Sequence, residues 1–83
     1  MITSEHIKQF IAAAIPCTHL QVDGDGQHFY VTVVSEQFND KKLLERHRHI
    51  KDLLKNKLHS NEVHALSIVK ALTPEEWEKQ QGN

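Results

Sequence analysis

Residues 21–35 read QVDGDGQHFYVTVVS, and this stretch decides the fold. Two runs suited to a pleated sheet, THLQV (18–22) and QHFYVTVVS (27–35), flank a repeated Asp-Gly. Val, Thr, Phe and Tyr pack well on a half-buried pleated surface. Glycine takes the positive-φ positions that a tight turn requires, so DGDG between these runs predicts a β-hairpin.

Upstream of the hairpin, Thr3 or Ser4 can cap a first helix whose Ile7, Phe10, Ile11 and Ala14 share one face, and Pro16 ends it. Downstream, EQFND (36–40) breaks the strand pattern, and Asn39 or Asp40 can cap a second helix from about Lys41 to Leu58. Its apolar stripe is read as Leu43, Leu44, Ile50, Leu53, Leu54 and Leu58. HSNE (59–62) interrupts, and VHALSIVKA (63–71) reads as a third strand. LTPEEWEKQ (72–80) carries a helix start, with Thr73 as N-cap, Pro74 at the first helical position and Glu76 three residues after the cap. The order is α-β-β-α-β-α. Strand two, helix two and strand three form a crossover whose strands can pair in parallel through a right-handed connection. The expected fold class is α+β, with helices against one face of a three-stranded sheet.

Eighty-three residues make one small domain, residues 1–83. A chain this short buries only about 60% of its unfolded surface, which favours work done by a surface over work done in a deep pocket. Apolar runs such as FIAAAIP fall far below the roughly 20 residues of a membrane span. The start MITSEHIK lacks the order of a signal peptide, so a cytoplasmic location away from membranes is expected. Cys17 is the only cysteine, which excludes an internal disulfide, a four-thiolate zinc site and a Cys-rich iron–sulfur site within one chain. A cluster bound here would need ligands from another molecule.

The net charge of −1 hides an asymmetry. Residues 41–59 hold Lys41, Lys42, Arg46, Arg48, Lys51, Lys55 and Lys57 against Glu45 and Asp52, a local +5 that leaves −6 on the rest. Lys42, Arg46, Arg48, Lys51 and Lys55 are therefore candidates for gripping phosphates or an acidic partner, against the alternative of a solvated helix face. Acidic surroundings would make any DNA binding weak and very salt-sensitive. The chain also shows neither a KH-type glycine-rich loop nor a platform of stacking aromatics.

Four of the seven histidines fall between Glu45 and Ile68. His47 and His49 stand two apart, about 200° on a helix, so they cannot chelate one ion. His64 is expected to open the third strand, on the same face as Leu66 and Ile68, and His28 to open the second. Both can sit at one end of the sheet, as iron or zinc ligands or as partly buried histidines bonded to backbone. Trp77 reads either as a partner-contact anchor or as core. No Gly-x-Ser-x-Gly, P-loop or dinucleotide fingerprint occurs, and Cys17 lies outside any Cys-x-x-Cys pair, so no enzyme is expected.

Three motifs in order, VVSEQFNDKKLLERHRHI (33–50), VHALSI (63–68) and LTPEEWE (72–78), resemble the BolA family, and the likeness spans Gln21 to Glu78. The short DGDGQHF hairpin resembles the acid-resistance branch of bacterial BolA-like proteins. The resemblance implies a class II KH-like α+β domain that acts as an accessory or adaptor in iron–sulfur cluster handling. It implies a monothiol glutaredoxin as partner and a shared 2Fe–2S cluster. The glutaredoxin would supply a cysteine and a bound glutathione thiolate, and the histidine of VHAL, here His64, would come from this chain. Alone, the chain would hold no cluster and would be a monomer or a weak homodimer. Imidazole in place of thiolate raises a cluster's potential, as in Rieske centres. The family's second ligand, a Cys or His in the hairpin loop, does not carry over. The loop holds Gly24, Asp25, Gly26 and Gln27 with His28 at its edge, so His28 or Asp25 stands in, or the cluster is held less firmly. The resemblance also implies an alternative role as a DNA-binding transcription regulator in a stress response, with the basic second helix facing DNA.

Overall fold

The computed structural model describes residues 2–82. Helix α1 spans Ser4–Ala14, strands β1 and β2 span His19–Gly24 and Phe29–Val34, and a 3-10 turn covers Glu36–Phe38. Helix α2 spans Leu43–Lys55, α3 Ser60–His64, strand β3 Leu66–Leu72 and helix α4 Pro74–Gln80. The sheet order is β1-β2-β3. β1 and β2 pair antiparallel, from His19 opposite Val34 to Gly24 opposite Phe29, as the Asp-Gly repeat predicts. β3 pairs parallel with β2 after the crossover through α2. The α+β class and the three-stranded sheet are as expected, and the order is compatible with a KH-like arrangement.

Local chemistry sets most boundaries. The Thr3 hydroxyl accepts from the His6 N–H at 3.2 Å and starts α1, which ends at Ala14 before Pro16. Ser35 caps the 3-10 turn by accepting from the Gln37 N–H, and its own hydroxyl donates to the Pro16 carbonyl at 2.6 Å. Thr73 and Glu76 form the expected capping box, Thr73 Oγ1 accepting from the Glu76 N–H and Glu76 Oε1 from the Thr73 N–H.

The core lies between the sheet and the pair α1 and α2. Ile7 and Ile11 of α1 meet Phe29, Val31 and Val33 of β2, and Ile50, Leu54 and Leu58 come from α2 and its exit. Strand alternation sends His19, Thr32 and Val34 to the opposite face. The register between β2 and β3 shifts after Val31: Ile68 pairs with Val31 and Lys70 with Thr32, leaving Val69 as an extra, exposed residue. That bulge turns Lys70 onto the same outer face as His19.

Four expectations are corrected here. Helix α4 does not join α1 and α2 on one face. Its Trp77 stacks on His19, with centroids 4.5 Å apart and the rings inclined by 19°, and so covers one end of the outer face, where Val34 is fully buried. Helix α2 begins later than expected, with Lys42 as an N-cap that makes no side-chain bond. Asn39 and Asp40 are used up by the preceding turn, Asp40 adopting φ 66° as the chain leaves it. Residues 60–64 form α3, so the third strand starts at Leu66 and not at Val63.

The fourth correction concerns the face of α2. Leu43 and Leu44 are 57% and 65% exposed, whereas Arg46 is 8% exposed. Arg46 leads the series Arg46, Ile50, Leu54, Leu58, spaced by one helical turn each, and this series points inward. Its Nε donates to the Lys41 carbonyl at 2.9 Å and its Nη1 to the Ala71 carbonyl at 2.9 Å. The guanidinium also pairs with Glu76, Nη1 to Oε1 at 2.6 Å and Nη2 to Oε2 at 3.4 Å, and lies 5.9 Å from the Phe38 ring centroid. Arg46 therefore leaves the set of candidate nucleic-acid contacts, because its donors are spent inside the protein.

Arg46→Ala strands two carbonyls and a carboxylate. We expect a loss of about 2–3 kcal/mol, less than the cost of breaking a fully buried pair because the Glu76 side chain is 44% exposed. Urea midpoints at unchanged m-value measure it. Glu76→Gln keeps an acceptor oxygen and should cost less, about 1 kcal/mol. The Arg46 guanidinium, then the Thr73 N–H, hold the Glu76 carboxyl below the usual carboxylate range. Its stabilisation is thus present above the ordinary carboxylate value and is lost as pH falls through the lowered one. In Arg46→Ala that acid-side loss should shrink.

Candidate metal-ligand and docking face

His64 is the last residue of α3 and is exposed. The Glu62 carboxylate accepts from the His59 N–H at 2.9 Å and fastens the start of this five-residue helix. At its end the Ala65 N–H donates to the carbonyls of Asn61 and Glu62. The expected strand placement of His64, in line with Leu66 and Ile68, is therefore wrong. A helical turn lifts the imidazole off the sheet and presents it at the rim of a groove of about 240 Å³ lined by Lys55, Leu58, Ser60, Val63 and His64. Leu58 and Val63 make this groove largely apolar.

The hairpin loop lies at the same end of the sheet, since the Phe29 N–H donates to the Ala65 carbonyl at 3.0 Å and Phe29 pairs with Leu66. Asp25 Oδ1 accepts from the N–H groups of Gln27 at 2.9 Å and His28 at 2.8 Å. These bonds, His28's first, hold the Asp25 carboxyl below its usual range. Gly26 supplies the positive φ of 93°. Gly24 has no room for a Cβ, which would fall 2.7 Å from Phe29 Cδ1 and 2.9 Å from the His28 carbonyl. Asp25 is thus a loop fastener with one oxygen already engaged, and His28 stands exposed beside it. The structure brings the His28 and His64 backbones to one sheet end. Among the described residues no three His, Cys, Asp or Glu side chains come together as metal donors.

Lys42, Arg48, Lys51 and Lys55 are exposed on α2 or at its start, Lys55 making a 3.5 Å ion pair with Asp52. Lys55 also lines the groove beside His64, so the cationic side of α2 runs into it. His47 is half-buried and His49 exposed on the same helix. Burial pushes the Cys17 thiol up, and its Sγ donates to the Ile15 carbonyl at 3.1 Å. Trp77 is half-buried against His19 and Lys70, a packing position. Sequence reasoning passed over His19, whose short place in THLQV carries no local signal of a stack with a residue 58 positions later. It also passed over Asp25 as a turn lock, which Asp two residues before Gln27 in a glycine-rich loop does signal. Among the described residues no helix is long and apolar enough to cross a membrane.

The chain is similar to Protein BOLA2 of Arabidopsis thaliana, 43% identical over 93% of this chain and 85% of that protein. It is also similar to the Acid stress protein IbaG of Escherichia coli, 32% identical over 89% of this chain and 87% of that one. Among solved structures, the BolA domain of SufE1 from Arabidopsis thaliana superposes with a TM-score of 0.73 at 38% identity, over 88% of this chain and 93% of that one. The family profile described as BolA-like protein matches residues 6–76, and with the sheet, the fastened hairpin and the His64 groove in place, this chain belongs to the BolA-like family.

Proposed function

We propose that the protein is an accessory adaptor in iron–sulfur cluster handling that docks a monothiol glutaredoxin and contributes His64 to a 2Fe–2S cluster shared with it. One observation carries this reading: an exposed imidazole on a fastened turn, beside an apolar groove. Imidazole suits iron, and a 2Fe–2S cluster takes four ligands, so His64 fits as one ligand of a set completed elsewhere. His28, at the same sheet end, is the second donor this chain can offer. The partner's cysteine and a glutathione thiolate would supply the sulfur ligands. When bound, the cluster supplies one-electron chemistry, at a potential raised by imidazole ligation. This chain's own part is to present His64, to bury the partner's apolar contact against Leu58 and Val63, and to attract an acidic partner surface with Lys55, Lys51 and Arg48. Family membership supports the reading, and so does the occurrence of a BolA domain within the longer SufE-like protein 1, of which the match covers 14%.

A second reading, DNA binding by α2, draws on the same exposed cations. It loses Arg46 and retains Lys42, Arg48, Lys51 and Lys55.

Titrating the protein into a cluster-loaded monothiol glutaredoxin should change the visible circular dichroism of the cluster. His64→Ala should abolish the change while leaving the far-ultraviolet spectrum intact. A cluster spectrum indifferent to the wild-type protein would sink the adaptor reading. For DNA, log affinity should fall linearly with log salt, and removing Arg48 or Lys51 should each lower the slope by about 1. Absence of any duplex binding at low salt leaves these cations to the protein partner.

A further inference from the structure

The outer face of the sheet holds a histidine that no bonding pattern explains. His19 of β1 stacks on Trp77 of α4, and its Nε2 is shielded from solvent without a hydrogen-bond partner. A neutral imidazole can leave a bare ring nitrogen against an aromatic surface. An imidazolium cannot do so cheaply, because both ring nitrogens then carry N–H donors and the inner one would meet no acceptor.

The charges around the stack point the same way. From β3, the Lys70 Nζ lies 5.5 Å from the Trp77 ring centroid, so a charged His19 would share the indole with another cation. From α4, Glu76 is taken by Arg46 and Glu75 by Lys79, while Glu78 lines a separate groove with Glu36 and Asn39. On β2 the cross-strand neighbour is Val34, which is not ionisable, and the Cys17 thiol, two residues before His19, donates to the Ile15 carbonyl and is pushed up by burial. Among the described residues no carboxylate forms an ion pair with His19. The indole's attraction for an imidazolium is therefore opposed by Lys70 and by a donor with nowhere to bond.

We propose that the His19–Trp77 stack is an acid-sensitive latch: protonation of His19 releases the last turn of α4, Trp77–Gln80, from the outer face of the sheet. The first turn stays in place, because Arg46 holds Glu76 and keeps it ionised at mildly acidic pH. Release removes the indole from the end of that face where Val34 and Leu72 are buried. Protonation of His19 therefore opposes docking, and release is favoured on the acid side.

Trp77 is the only tryptophan, so its emission reports the latch directly. Between pH 8 and pH 5 the emission maximum should shift to the red along a single-proton curve. Amide protection at Trp77–Gln81 should fall about tenfold or more over the same range, while protection in β2 is kept, which separates release from unfolding. His19→Phe keeps a ring in the stack and removes the proton; its emission and protection should stay flat. Quenching without a red shift means that the imidazolium remains stacked, and it overturns the latch. So does a wild-type protection profile unchanged across the range, or an equal transition in His19→Phe. Should His19→Phe fail to fold, the wild-type protection profile decides the question alone.

Discussion

The Arg46 guanidinium is the interaction on which the arrangement of the helices depends. One side chain from the first turns of α2 reaches the carbonyl that precedes its own helix, the carbonyl of Ala71 near the end of β3, and the carboxylate of Glu76 in α4. These groups lie 5, 25 and 30 residues from it in sequence. A guanidinium can do this because its donors form a rigid planar fork, which a lysine lacks. Glu76 is bound twice over, since the same oxygen that receives Arg46 also receives the Thr73 N–H. The start of α4 is therefore fixed by a long-range ion pair and a local cap acting on one carboxylate, and this fixes where Trp77 falls on the sheet.

The two ends of the sheet divide the work. At the end where β2 and β3 begin, the hairpin loop and α3 meet, tied by the Phe29–Ala65 bond, and they present His28, His64 and the apolar groove. At the other end, β3 runs into α4, and Arg46, Glu76, Trp77 and His19 close the structure. The bulge at Val69 lets one strand serve both ends. Before it, Leu66 and Ile68 face the core; after it, Ala71 does, and Lys70 is turned to the indole. The cationic side of α2 lies between, and Lys55 carries it to the groove.

Elements whose signals are local were legible in the sequence. The Asp-Gly repeat placed the hairpin because glycine's positive φ is a property of the residue itself, and Thr73, Pro74 and Glu76 placed α4 because a capping box closes within three residues. Contacts that require distant chain were not legible from composition. RHR reads as a phosphate-gripping motif until Ala71 and Glu76 are brought to Arg46. A signal existed nonetheless: Arg46, Ile50, Leu54 and Leu58 recur every four residues, while Leu43 and Leu44 fall outside that series at the helix start. VHALSIV reads as strand throughout because it is rich in β-branched residues and places His64, Leu66 and Ile68 at alternate positions. Glu62, three residues after His59, was the local sign that a helical turn came first.

The turn at His64 changes what that histidine can do. On the strand, its side chain would have shared a face with Leu66 and Ile68 and been half covered by the core. Any metal reaching it would have had to approach through packed leucines. At the end of α3 the same residue stands clear of the sheet, with Leu58 and Val63 beside it in an open, largely apolar groove. Asp25 makes the complementary choice at the hairpin. Its carboxylate is turned back on its own loop, holding the N–H groups of Gln27 and His28, so the donor left facing outward there is His28. Both fastenings spend a carboxylate, Glu62 in one case and Asp25 in the other, on backbone near a histidine. The imidazoles of His28 and His64 are therefore left exposed at this end, with the Lys55 ammonium lining the groove beside His64.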